Sequence, residues 1–238
     1  MKTTKLDREA QICEALSGRR IVFAGLSNAQ REIYEQNLIH LFRQKQVNVV
    51  TADHIKQVTE KDLVLIFGQI EDDTEKKTSV QRTKRRQLLS LTEQLTILAE
   101  KRPAGAVLIS DCQVYGKQFG TPHSWKENEL GFLSHTDQNE TALQYMRMTE
   151  HLACRLAQEE QLHIRVVRQN LQLEKEDLGQ VIEVLLMLLL YGADGEIYNL
   201  PQSGQSWTYG EAEEHSPLAP LELILDTEKA DVAASVKG

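Results

Sequence analysis

Three short, unbroken apolar runs, Ile21-Val22-Phe23-Ala24, Leu63-Val64-Leu65-Ile66-Phe67 and Ala106-Val107-Leu108-Ile109, limit most strongly what this chain can fold into. A strand with one face in water alternates apolar and polar residues, so runs like these belong to strands covered on both faces. Ile164-Arg165-Val166-Val167 reads as a further strand and Val47 to Val50 as a β-branched one. Helical patterns lie between them. Ser27 or Asn28 caps a helix that carries Ile33, Leu38, Ile39, Leu41 and Phe42 at helical spacing. Further helices are expected over Val80 to Glu100, Thr141 to Gln161 and Asp177 to Tyr191. Strands regularly separated by helices predict a doubly wound α/β fold, a parallel sheet with helices on both faces.

The remaining segments are shorter. Leu6 to Leu16 reads as a leading helix, Glu71 to Thr78 as a polar loop and Glu196 to Asn199 as a short strand. Trp207 to Glu214 reads as a helical turn and Leu221 to Leu225 as a late strand. With 238 residues, 41% of them apolar, one core is expected and two ordinary domains are not. The domain is placed at 1–229, followed by a small, polar, disordered tail at 230–238.

A net charge of -8 lacks the Lys/Arg excess that nucleic acid or an anionic membrane surface requires, so neither is expected as a partner. The local cluster Lys84-Arg85-Arg86 reads as the solvated face of a helix. No apolar run approaches the roughly 20 residues of a membrane span, and the N-terminus has no apolar signal region, so the expected location is the cytoplasm. Cys13, Cys112 and Cys154 are far apart and suggest neither a disulfide framework nor a zinc site. No His-Glu-x-x-His or Gly-x-Ser-x-Gly motif occurs, and His123-Ser124 has no evident acid partner. Glu127 and Glu129 could pair as carboxylates, but a solvated acidic loop accounts for them.

In doubly wound sheets ligands sit at the carboxyl ends of the strands, which directs attention to Ala24-Gly25-Leu26-Ser27-Asn28-Ala29-Gln30-Arg31. A dinucleotide loop needs glycines for a tight turn, for close approach to the pyrophosphate and for helix packing. Gly25 meets the first need. Ser27 and Asn28 are the polar groups nearest it. Asp53, at the end of the second strand, stands where a ribose-binding acid is expected, although an aspartate there is also an ordinary turn residue.

Five segments in order carry a resemblance: Val107-Leu108-Ile109-Ser110-Asp111-Cys112-Gln113-Val114-Tyr115-Gly116, Tyr145-Met146-Arg147-Met148-Thr149-Glu150-His151-Leu152-Ala153, Ile164 to Asn170, Gly195 to Leu200, and Leu225 to Ala230. Together they resemble the extended short-chain dehydrogenase/reductase family, the NAD-dependent epimerases and dehydratases of nucleotide sugars, over nearly the whole chain. The resemblance implies a Rossmann-like sheet, NAD or NADP as cofactor, and a Tyr-x-x-x-Lys motif beginning at Tyr145. It also implies a dimer through the helices at 80–100 and 141–161.

Several positions depart from that pattern. Asn28 and Arg31 stand where the second and third glycines would fall. Thr149 replaces the lysine whose charge makes the tyrosine more acidic and whose ammonium holds the nicotinamide ribose. Asp111 replaces the serine or threonine, and Ser110, one residue away, faces the other side of its strand. Arg147 is two positions from the lysine site and points elsewhere on the helix. Few residues separate Arg168 from Asp177, so the substrate-binding lobe is much reduced. These departures imply a catalytically inactive relative, without cofactor, that acts through protein or nucleotide binding. Its expected partner is a second copy or an active relative in nucleotide-sugar or surface-polysaccharide metabolism. The alternative is an NAD(P)-dependent epimerase, dehydratase or reductase in which Tyr145 is the acid/base and a buried, protonated Asp111 orients the substrate.

Overall fold

The computed structural model describes residues 14–24, 29–44, 47–51, 55–68, 80–115, 130, 133, 140–169 and 178–199. After a helical turn at 14–16, the elements are β1 (Ile21–Ala24), α1 (Ala29–Gln44), β2 (Val49–Thr51), a 3-10 turn (Ile55–Gln57), β3 (Leu63–Phe67) and α2 (Val80–Lys101). β4 (Gly105–Asp111), a second 3-10 turn (Cys112–Tyr115), α3 (Thr141–Glu160), β5 (Ile164–Gln169), α4 (Leu178–Tyr191) and β6 (Ile197–Asn199) follow. All six strands are parallel, in the order β2-β1-β3-β4-β5-β6. The expected doubly wound α/β fold is therefore the observed one. The expected segments at 207–214, 221–225 and 230–238 lie outside the described residues.

Each continuous apolar run feeds two cores, as strand alternation requires. Phe23, Leu65, Phe67, Val107, Ile109 and Val167 point to one face, where Leu38 and Phe42 of α1 and Leu185 and Leu189 of α4 cover them. Phe23 lies near-parallel to Phe67 and edge-on to Phe42, each at 5.9 Å between ring centroids. Val22, Val64, Ile66, Ala106, Leu108 and Val166 point to the other face, under Leu91, Leu95 and Leu98 of α2 and Met146 and Ala153 of α3.

Two features depart from a plain strand-helix alternation. β2 and β3 lie on opposite sides of β1, yet the described part of their crossover is the 3-10 turn Ile55–Gln57 and no α-helix. The interval from 52 to 62 is too short for an ordinary helix and two turns. Among the described residues no strand flanks the outer edge of β2, where the usual dinucleotide-binding order has one. The chain winds to one side after β1 and to the other after β2, so the switch point lies at the carboxyl ends of β1 and β3.

The basic cluster is corrected in part. Lys84 is 1% exposed, whereas Arg85 and Arg86 face solvent. Position 84 shares the inward stripe of α2 with 88, 91, 95 and 98, and helical spacing overrides the local run of charge. Among the described residues no helix is long and apolar enough to cross a membrane.

Candidate ligand site at the carboxyl edge of the sheet

β4 supplies the centre of this edge. Its last residue, Asp111, follows the parity of Val107 and Ile109 and leaves the backbone on the side of α1 and α4. Asp111 is buried, and its Oδ1 accepts the Gln113 N–H at 2.8 Å, capping the turn Cys112–Tyr115. Burial pushes the Asp111 carboxyl above the usual carboxylate range, against the opposing pull of the Gln113 N–H. Ser110 follows Ala106 and Leu108 onto the side of α2 and α3. It is also buried, and its Oγ has no hydrogen-bond partner among the described residues.

A pH-dependent stability follows from Asp111. An acid whose folded pKa is raised opposes folding above that pKa, and this penalty fades as pH falls toward its unfolded value. Asp111→Asn keeps an acceptor for the Gln113 N–H and removes the buried charge. The variant should melt higher than wild type near neutral pH, and the gain should vanish as the pH enters the ordinary carboxylate range. A melting difference independent of pH would refute this account.

α3 descends from the same edge and carries the rest of the motif. Tyr145 is half-buried and packs against the core on the side of α2 and α3. Tyr145 thus packs against the cluster that Ala106 and Leu108 of β4 join, and Ser110 shares their parity along the strand. Thr149 is buried, and its Oγ1 donates back into the helix, to the carbonyl of Tyr145 at 2.7 Å with Met146 O at 3.1 Å. Arg147 reaches the turn after β4: Nε donates to Val114 O at 2.6 Å and Nη2 to Tyr115 O at 3.1 Å. Burial, with the nearby Arg168 charge, pulls its pKa below the ordinary value. This guanidinium fastens α3 to the turn and leaves the lysine position of the motif unfilled. Lys84, in the second turn of α2, is the further buried cation near the edge.

Sequence reasoning missed the strongest polar contacts of this region. Arg168 of β5 and Glu150 of α3 have side chains only 2% and 4% exposed. Arg168 Nη2 donates to Glu150 Oε2 at 2.8 Å, and Nε lies 3.2 Å from both carboxylate oxygens. The same guanidinium sits over the Tyr115 ring, 4.7 Å from its centroid, and the Tyr115 hydroxyl donates to Asn199 Oδ1 at 2.6 Å. Burial works against the Arg168 charge, but the Glu150 carboxylate outweighs it and holds the guanidinium above its ordinary pKa. A sequence signal existed. Arg168 falls at the inward parity of Ile164 and Val166, and Glu150 lies on the buried stripe of α3 with Met146 and Ala153.

Gly25, Ser27, Asn28 and Asp53 lie outside the described residues, as do His123, Ser124, Glu127 and Glu129. Among the described residues no group of three His, Cys, Asp or Glu could hold a metal ion. Among the described residues, the lysine position of the motif offers a nicotinamide dinucleotide no cation. Thr149 carries no charge and turns into its helix, and Arg147 is engaged with the turn.

No family profile and no curated protein matches the chain. Solved structures do. UDP-N-acetylglucosamine 4-epimerase from Bacillus cereus aligns over 77% of this chain and 78% of its own, at 12% identity and a TM-score of 0.56. A GDP-L-fucose synthetase from Naegleria fowleri, bound to NADP, aligns over 76% of each chain at 10% identity and a TM-score of 0.55. At such identities the likeness is one of fold.

Proposed function

We propose that this chain is a catalytically silent, dehydrogenase-like protein that acts by binding a protein partner or a nucleotide, in the cytoplasm and in the service of nucleotide-sugar or surface-polysaccharide metabolism. The observation that carries the reading is Thr149. At the position where a cation would make Tyr145 a useful acid/base, the side chain is buried and its hydroxyl is bonded to its own helix. The five ordered motifs and the fold shared with the epimerase and the synthetase support the ancestry. Fold alone supports no activity, so the chemistry must be judged at the site.

A second reading retains activity, with Tyr145 as acid/base and Asp111 as a protonated donor. The raised pKa of the buried Asp111 favours it. The lack of a cation at Thr149, whose hydroxyl bonds back into its own helix, counts against it.

Thermal melting with NAD, NADH, NADP and NADPH separates the two. A ligand at about a hundred times its Kd stabilises the native state by roughly 2.7 kcal/mol, a shift of roughly 5–10 °C for a chain of this size. No shift at millimolar cofactor and no turnover of UDP- or GDP-sugars is the expected result. A clear shift, with turnover that Tyr145→Phe abolishes, would overturn the proposal in favour of the enzyme.

The same reading places a second copy, or an active relative, against α2 and α3. Leu89 and Met148, 58% and 56% exposed, are large apolar side chains on the outer surfaces of these helices. The neighbouring exposed positions are mostly polar or charged, among them Arg85, Arg86 and Glu93 on α2 and His151 and Arg155 on α3. A modest interface follows, anchored on those two residues. Leu89→Asp should shift the protein from dimer to monomer in light scattering at micromolar concentration. A wild-type protein already monomeric there would refute the homodimer.

A further inference from the structure

We draw no further inference here: the strongest candidate, the buried Lys84 in the second turn of α2 together with the unpartnered hydroxyl of Ser110 at the end of β4, belongs to the sheet edge already described, and nothing in the structure shows a ligand between the two.

Discussion

Replacing Arg168 by methionine is expected to lower the stability of the fold by about 3–5 kcal/mol, because it leaves a buried carboxylate without its countercharge. Methionine fills much of the arginine stem's volume, so the loss reports the missing charge and hydrogen bonds more than a cavity. Glu150 lies within the stripe that α3 presses onto the sheet, where water cannot replace the guanidinium. Tyr115 would lose the cation over its ring, and with it part of what orients its hydroxyl toward Asn199. Urea denaturation of four proteins tests this: wild type, Arg168→Met, Glu150→Leu, and the double variant. Each single variant should be strongly destabilised. The double variant should be less destabilised than the two losses combined, since it leaves neither charge buried alone. Single losses below about 1 kcal/mol, the range of exposed pairs, would show that the pair is solvated and that this region is looser than its burial indicates.

That pair also marks where sequence reasoning reaches its limit. Val22, Val64 and Leu108 announce a sheet covered on both faces because a continuous apolar run has no other economical fold, and helical spacing locates α2 and α3 within a residue or two. Local patterns of this kind are complete within one element. Arg168 and Glu150 become intelligible only together. One sits on a strand and the other on a helix, and although the spacing within each element turns the residue inward, neither pattern names the partner that makes its burial tolerable. Lys84 escapes a local reading for a related reason, since three adjacent basic residues suggest a solvated face while the helix turns 84 inward and 85 and 86 outward. The motif positions Tyr145, Thr149 and Asp111 were legible as residue types. Their relation was not, because it depends on how α3 is laid against the carboxyl end of β4, which no pattern within either element encodes. The crossover from β2 to β3 was likewise invisible to periodicity. The phosphate-loop positions Gly25, Ser27 and Asn28 lie outside the described residues.

At the opposite edge of the sheet a second buried arginine leads to the other large expected effect. Arg165, at the parity of Val167, extends toward the end of α4, where its Nε donates to Gly192 O at 2.7 Å and its Nη1 to His163 O at 3.2 Å. Nη2 meets Asp194 Oδ1 at 2.8 Å, and Asp194 Oδ2 lies 2.6 Å from His163 Nδ1. Two glycines make room for this arrangement. A Cβ on Gly105 would come within 2.6 Å of Leu189 O and 3.3 Å of Arg165 Nη1, and one on Gly192 within 3.1 Å of Arg165 Cγ. Arg165→Ala should cost about 2–4 kcal/mol, because it strips the charged donor from the Gly192 carbonyl just past the buried α4 and from the His163 carbonyl that leads into β5. Asp194 contributes little to that loss, since it is over a third exposed and water can take the guanidinium's place. Asp194→Asn should therefore be mild, within about 1 kcal/mol, while Arg165→Lys should recover only part of the loss because one ammonium cannot reproduce the guanidinium's fixed geometry. If Asp194→Asn proved as damaging as Arg165→Ala in urea denaturation, the ion pair would be the source of stability, and the assignment to the two carbonyls would be wrong.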